Sequence, residues 1–364
     1  MKIAFRVDAS LQMGSGHVMR CLTLASALQR RGAECHFICR PHPGNLMQSI
    51  AAAGYPVHEL APADGAIDPP GLVTPAHISW LGVSQDEDAR QSGEVLQALQ
   101  PDWLIVDHYG LDAAWQRLLR PYCGRLMVID DLADRPHVCD LLLDQTFGRD
   151  QADYQALVPE NCTLLCGSGY ALLRPEFAQY RPTTLARRRA SARAEQLLIS
   201  MGGVDQANAT AVVLNVLAGL AQASALHIKV VMGSQAPWLA AVRELAARLP
   251  LQVEVLVDQR DMAGLMAQAD LAIGAAGSTA WERCCLGLPS IMVVLADNQR
   301  AVAAGLESVG AARIIASVDS ITRELPGLLA PLLERPELAR QMSEAAAQVS
   351  DGCGVQAVLQ ALQV

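Results

Sequence analysis

The sequence predicts an α/β protein of two doubly wound, Rossmann-like domains, and three observations carry that prediction. A chain of 364 residues corresponds to about two domains at roughly 150 residues each, and its hydrophobic share of 51% is ample for two buried cores. Aromatic residues make up only 4% and charged residues 18%, so the apolar material is mostly Ala, Leu and Val, which suits helices packed over parallel strands. Short apolar runs bounded by turn residues alternate with helix-length segments, and the alternation occurs twice.

In the first half, residues 3–7, 35–39, 103–107, 126–129 and 141–143 read as strands. A segment at 170–193, rich in Arg and containing Pro175 and Pro182, interrupts the pattern. It resumes with strands at 197–201, 228–232, 253–257, 271–273 and 291–295, and ends in helices at 322–333 and 336–349 with a short tail from Asp351. The expected division is a first domain over 1–175, a linker over 176–195 and a second domain over 196–364. Sheets of this kind bind ligands beyond the carboxyl ends of their strands, and the cleft between two such domains is the expected site. The uncharged stretch 206–228 has bilayer length but carries Gln206, Asn208, Asn215, Gln222 and Ser224, and it reads as a buried helix and strand.

The charge balance narrows the partners. With 28 Lys and Arg against 37 Asp and Glu, the net charge is −9, so neither a nucleic-acid backbone nor an anionic membrane is an expected partner. Arg187, Arg188, Arg189 and Arg193 read as a solvated helix face. The N-terminus has Arg6 and Asp8 where a signal peptide needs an uninterrupted apolar core, which points to the cytoplasm. The ten cysteines read as reduced, mostly buried thiols, since none of the close pairs has structural zinc spacing. Asp86-Glu87-Asp88 stands at a helix start, where the helix dipole explains the acids without a metal. No metal and no cofactor is expected.

Three loops between a strand and a helix carry the candidate chemistry. The first, Asp8 to Met19, holds Gly14, Ser15 and Gly16 ahead of an apolar helical pattern, with His17 at the helix mouth. Glycines permit close backbone approach, and a helix start offers unpaired N–H groups to an anion. Met19 occupies the third glycine position of a dinucleotide fingerprint, and no phosphate-loop Gly-Lys-Ser/Thr occurs, which disfavours a redox enzyme or NTPase. The second loop carries Gly277, Ser278 and Thr279, whose N–H groups can face a diphosphate, and Glu282, a fixed carboxylate suited to two ribose hydroxyls. The third contains Gly202 and Gly203, where backbone approaches substrate or simply turns. Asp107-His108-Tyr109 and Asp130-Asp131 end probable strands; with Asp8 they are candidates to orient a histidine or bind sugar hydroxyls, or else they cap turns.

Seven ordered motifs over about residues 1–310 extend this picture: Phe5-Arg6-Val7-Asp8 with Gly14-Ser15-Gly16-His17, Val106-Asp107-His108-Tyr109, Val128-Ile129-Asp130-Asp131, Leu142-Leu143-Asp144-Gln145, Tyr170 to Phe177, Ser200 to Gly203, and Gly277 to Pro289. In these the chain resembles the UDP-2,4-diacetamido-2,4,6-trideoxy-β-L-altropyranose hydrolases of pseudaminic acid biosynthesis. The resemblance implies a GT-B fold, with two Rossmann-like domains facing across a cleft, similar to the lipid II-forming N-acetylglucosaminyltransferases but with water as acceptor. It implies UDP chiefly on the C-terminal domain, His17 as general base, Arg174 and Glu282 as substrate contacts, a UDP-sugar substrate and no metal. A monomer suits such an enzyme. The chain departs from the pattern at Val204, Gln206 and Thr146, which bears on substrate detail rather than fold. Two other readings of the same motifs are a GT-B glycosyltransferase with a UDP-amino sugar donor and a catalytically silent nucleotide-sugar binding protein.

Overall fold

A computed structural model describes residues 1–63, 75–190 and 194–364. It divides into two compact units, Met1–Leu172 together with Gly354–Val364, and Leu173–Cys353.

The first unit holds strands β1 (Lys2–Val7), β2 (Glu34–Cys39), β3 (Val57–Glu59), β4 (Trp103–Asp107), β5 (Arg125–Ile129), β6 (Leu141–Asp144) and β7 (Thr163–Cys166). Among the described residues they form one sheet in the order β3-β2-β1-β4-β5-β6-β7, and every pairing is parallel. Helices α1 (Gly16–Arg30), α2 (Met47–Ala52), α3 (Gln85–Leu99) and α4 (Ala113–Leu119) lie between the strands. Because side chains alternate across a strand, Ile3, Phe5 and Val7 enter one core with Val18, Cys21, Leu24 and Leu28 of α1, whereas Ala4 enters the opposite core with Leu104, Val106, Leu96 and Trp115. Both faces are therefore covered, as an all-parallel sheet requires.

The second unit holds α5 (Pro175–Ala190), β8 (Gln196–Ser200), α6 (Ala209–Ala218), β9 (His227–Met232), α7 (Leu239–Arg248), β10 (Gln252–Val257), α8 (Met262–Gln268), β11 (Leu271–Ala275), α9 (Thr279–Cys285), β12 (Ser290–Val293), α10 (Arg300–Ser308), β13 (Arg313–Ile315), α11 (Ile321–Glu334) and α12 (Pro336–Val349). The sheet order is β10-β9-β8-β11-β12-β13, again parallel throughout, which is the 3-2-1-4-5-6 order of a doubly wound fold. The uncharged stretch at 206–228 forms α6 and the start of β9. No helix of the described residues is long and apolar enough to cross a membrane.

Several details differ from the sequence reading. The segment expected as a linker is largely the regular helix α5, which belongs to the second unit. Its arginines explain why. Arg188 is only 5% exposed and donates to the carbonyls of Leu286, Ala269 and Met266 at 2.9, 2.6 and 2.8 Å. Arg187 pairs with Asp270 at 2.6 Å. These guanidiniums meet the carbonyl-rich ends of α8 and α9, where a cation is favoured; Arg193 lies outside the described residues. The tail after Asp351 also leaves the second unit, since α13 (Gly354–Ala361) lays Val355, Val358 and Leu359 into the first core.

Asp86 and Glu87 keep the helix-start role expected of them in α3, but Asp88 turns inward. It accepts from Arg6 Nε and Nη2 at 3.1 and 2.7 Å, from Arg40 Nη2 at 2.8 Å and from Trp115 Nε1 at 3.0 Å. Arg6, Arg40 and Asp88 are each fully buried, so the carboxylate neutralises charges that water cannot reach. Asp88→Ala is expected to cost about 3–5 kcal/mol, the range for removing one partner of a buried ion pair. Urea unfolding of the two proteins measures it, and a loss below about 1 kcal/mol, the value of an exposed pair, contradicts the assignment.

Candidate active site

The sheet order of the first unit makes a topological switch point between β1 and β4: from β1 the chain winds outward through β2 and β3, then crosses back to β4. A crevice opens beyond the carboxyl ends of two such strands. The loop leaving β1 is tightly made. Ser10 Oγ accepts from the amides of Gln12 and Met13 at 3.2 and 3.0 Å, and Ser10 O accepts from Gly14 N at 2.8 Å. Gly14 has φ +74°, a left-handed conformation that favours glycine. The turn delivers the chain into α1, whose N-cap Ser15 makes no side-chain cap.

His17 stands in the first turn of α1 and is 9% exposed. Its Nδ1 lies 3.4 Å from Asp107 Oδ1, at the end of β4. Arg20, three residues further along the same helix face, clamps Asp107 with two hydrogen bonds of 2.7 Å. A third, of 2.6 Å, runs from Arg20 Nη1 to Asp131 Oδ2, which also accepts from the Tyr109 hydroxyl at 2.6 Å. The Tyr109 ring meets the His17 ring edge-on at 4.5 Å between centroids.

The charges in this group are set by burial and by Arg20. Burial pushes the His17 pKa down, outweighing Asp107, which pulls it up. The imidazole is thus neutral at pH 7 and retains a lone pair. Burial alone would raise the Asp107 pKa, but Arg20 and His17 bring it below its usual value. An ionised Asp107 beside Nδ1 favours the tautomer with the proton on that nitrogen and leaves Nε2 as the proton acceptor. Tyr109 is pushed upward by burial and by Asp131, so it remains a donor.

Of the acidic and aromatic residues singled out in the first half, the structure therefore brings Asp107, Tyr109 and Asp131 to His17. Asp8, His108 and Asp130 have other company. Asp8 Oδ1 accepts from Arg40 N and contacts Arg6 Nη1, both at 2.7 Å, while its Oδ2 lies 3.6 Å from both His42 Nε2 and His108 Nε2. His108, pushed down to about 3 by burial, accepts Gly110 N–H at Nδ1. Asp130 closes its own turn by accepting from Leu132 N and Ala133 N, and contacts Arg135 at 2.9 Å. Asp8 and Asp130 thus anchor backbone amides of Arg40, Leu132 and Ala133, while Asp8 Oδ2 and His108 Nε2 have no hydrogen-bond partner among the described residues. The sequence carries Arg20 in the His17 motif without assigning it a role, although its place three residues after His17 on one helix face is a readable signal.

In the second unit the switch point falls between β8 and β11. After β8, Gly203 O accepts from Gly233 N at 2.9 Å, and a Cβ on Gly233 would stand 2.4 Å from that oxygen. The Asp205 carboxylate accepts from Ala209 N and Thr210 N, both at 2.9 Å, so the start of α6 already has its anion. The loop after β11 differs. Ser278 makes no side-chain cap on α9, and the amides of Gly277, Ser278 and Thr279 have no hydrogen-bond acceptor among the described residues. Beneath this loop lies buried Arg283, which reaches Ala275 O at 2.6 Å and Thr279 Oγ1 at 3.2 Å. A Cβ at Gly274 would come within 2.8 Å of that guanidinium.

Glu282 Oε1 lies 4.0 Å from Arg174 Nη2, and Arg174 Nη1 also donates to Arg260 O at 2.8 Å. Burial raises the Glu282 pKa to about 7, against the opposing pull of Arg174 and Arg283. Arg174 thus reaches the same group as Glu282 although 108 positions separate them in sequence. Arg283, on α9, is not legible in sequence, because its partners Ala275 O and Thr279 Oγ1 are set by how the helix folds back under the preceding loop.

Comparison with known proteins follows the same division. Residues 197–354 match the glycosyltransferase family 28 C-terminal domain. The chain is 27% identical over 310 residues to a UDP-2,4-diacetamido-2,4,6-trideoxy-beta-L-altropyranose hydrolase of Campylobacter jejuni, spanning 85% of this chain and 97% of that protein. It is 38% identical over 106 residues to the UDP-N-acetylglucosamine--N-acetylmuramyl-(pentapeptide) pyrophosphoryl-undecaprenol N-acetylglucosamine transferase of Rhizobium meliloti, 28% of each chain. Among solved structures, Acinetobacter baumannii MurG superposes with a TM-score of 0.68 at 19% identity, covering 100% of this chain and 99% of its own. The fold is GT-B, residues 197–354 are similar to the glycosyltransferase family 28 C-terminal domain, and along most of its length the chain resembles the UDP-2,4-diacetamido-2,4,6-trideoxy-β-L-altropyranose hydrolases.

Proposed function

We propose that this protein hydrolyses UDP-2,4-diacetamido-2,4,6-trideoxy-β-L-altropyranose to the free sugar and UDP, a step of pseudaminic acid biosynthesis. The observation that carries this reading is a neutral, buried His17 backed by Asp107 at a switch point, in a chain similar to such a hydrolase over 85% of its length. His17 Nε2 takes a proton from water as the oxygen attacks the anomeric carbon, while Asp107 holds the imidazole and stabilises its charge. The bond from that carbon to the UDP oxygen breaks, and a single displacement inverts the centre. The amides of Gly277, Ser278 and Thr279 and the Arg174 side chain take the charge growing on the diphosphate. Glu282 accepts the ribose hydroxyls, and Gly14, Ser15, Gly16, Gly202 and Gly203 let backbone approach the substrate.

The family 28 match supports a second reading, in which a hydroxyl acceptor replaces water. Release of UDP from donor alone favours hydrolysis, and release only with an added acceptor favours transfer. In oxygen-18 water, the label is expected in the free sugar; label in UDP means attack at phosphorus and removes His17 from its role. His17→Asn is expected to keep UDP binding and lose about 10²-fold or more in turnover, the effect of removing a general base. Turnover within a few-fold of wild type contradicts this.

Glu282 generates a pH test. Only its carboxylate form accepts from two hydroxyls, and its pKa stands at about 7, so UDP affinity falls as pH drops through that value. On the order of a tenfold loss is expected from pH 8 to pH 6, because apparent affinity scales with the ionised fraction. Calorimetric titration of wild type and Glu282→Gln separates this from titration of UDP itself. Equal pH slopes in the two proteins contradict the assignment.

A further inference from the structure

The first unit has a second feature beside His17 that the proposed chemistry does not use. The turn Ile78–Trp80 carries Trp80, and His77 precedes it. The rings of His77 and Trp80 lie 4.4 Å apart, His77 and Tyr109 5.6 Å apart, and Trp80 and Tyr109 5.8 Å apart at an interplanar angle of 30°. Tyr109 in turn touches the His17 ring. Two ring contacts therefore join the imidazole to the indole, the scale of one pyranose ring with its substituents.

This cluster is not ordinary core. Trp103 and Trp115 of the same unit are 3% and 0% exposed, whereas Trp80 and His77 are partly open to solvent. Tyr109 is held from behind, by its hydroxyl on Asp131 and by the Arg135 guanidinium 5.9 Å from its ring. An aromatic face carries partial negative charge and attracts the weakly positive C–H groups of an apolar surface laid on it.

We propose that Trp80 and His77, backed by the buried ring of Tyr109, form the wall that receives the sugar ring of the substrate and favours 6-deoxy over 6-hydroxy sugars. This rests on the reading of His17 as the base acting on a nucleotide sugar. A trideoxy sugar with two acetamido groups presents methyl and C–H surface where a common hexose presents hydroxyls. A hydroxyl pressed against the indole would lose water without gaining a partner. Trp80 thus acts in recognition, without touching the bond that breaks.

The test compares wild type, Trp80→Ala and Trp80→Phe in UDP release from UDP-linked 6-deoxy and 6-hydroxy diacetamido sugars, with UDP as inhibitor. Trp80→Ala is expected to raise KM for the 6-deoxy donor about five- to tenfold, the scale of one aromatic contact, and to narrow the preference between donors. Its inhibition constant for UDP is expected to stay within about twofold, since the nucleotide contacts proposed above lie in the other unit. Trp80→Phe, which keeps an aromatic face, is expected to recover most of the loss. An unchanged KM in Trp80→Ala, or a UDP constant that rises in parallel with KM, overturns the wall. If wild type turns over no donor, tryptophan fluorescence decides: quenching by the 6-deoxy donor that disappears in Trp80→Phe keeps the wall while the hydrolase reading falls, and no such quenching overturns both.

Discussion

The bidentate pair between Arg20 and Asp107 is the interaction on which the geometry of the first unit depends. It ties the first turns of α1 to the end of β4, the two elements that flank the switch point. Both groups are almost wholly buried, so the pair is stable only with its hydrogen bonds complete, and Asp131 and Cys21 supply the remaining contacts. With α1 held in this way, His17 has little choice of position. Its Nδ1 stands 3.4 Å from a carboxylate already committed to Arg20, without a hydrogen bond to it, so the imidazole meets negative charge that is already largely compensated. Burial then decides the balance and keeps the ring neutral.

The second unit solves a related problem with a different distribution of charge. After β8, a protein carboxylate, that of Asp205, occupies the amides at the start of α6. After β11, no side chain among the described residues does so, and the loop is supported from beneath by Arg283. Two loops that look alike in sequence, each small-residue and glycine-rich, therefore differ in what they offer an anion. This bears on a chain with net charge −9: its overall field repels a nucleotide, and local donors must overcome that repulsion.

Much of the fold was legible because its signals are local. Apolar runs bounded by turns marked the ten strands read from sequence, and the two rounds of alternation implied two parallel sheets. The short strands β3, β7 and β13 were missed, since edge strands of three or four residues carry little pattern. Helix α5 was read as a linker because Pro182 and an arginine run are breaker and surface signals. The structure satisfies them otherwise: Arg188 points inward onto helix-end carbonyls, and long-range partners of that kind have no sequence signature. Asp88 was misjudged for the same reason, as its three donor side chains come from positions 6, 40 and 115.

By itself, the sequence determined the α/β class, the strand-to-helix loops and the placement of His17 at a helix start. These follow from periodicity and from the backbone chemistry of glycine, both readable over a few residues. Only the tertiary structure decided which acids meet His17. Asp8, Asp107, Asp130 and Asp131 all follow or end strands, but strand order brings Asp107 beside α1, whereas Arg6 and Arg40 engage Asp8 and the turn after β5 absorbs Asp130. The aromatic group of His77, Trp80 and Tyr109 is likewise a product of folding, because its members come from segments joined by no local pattern. Side-chain partnership across a sheet depends on register and crossover, and neither is written in any short stretch of chain.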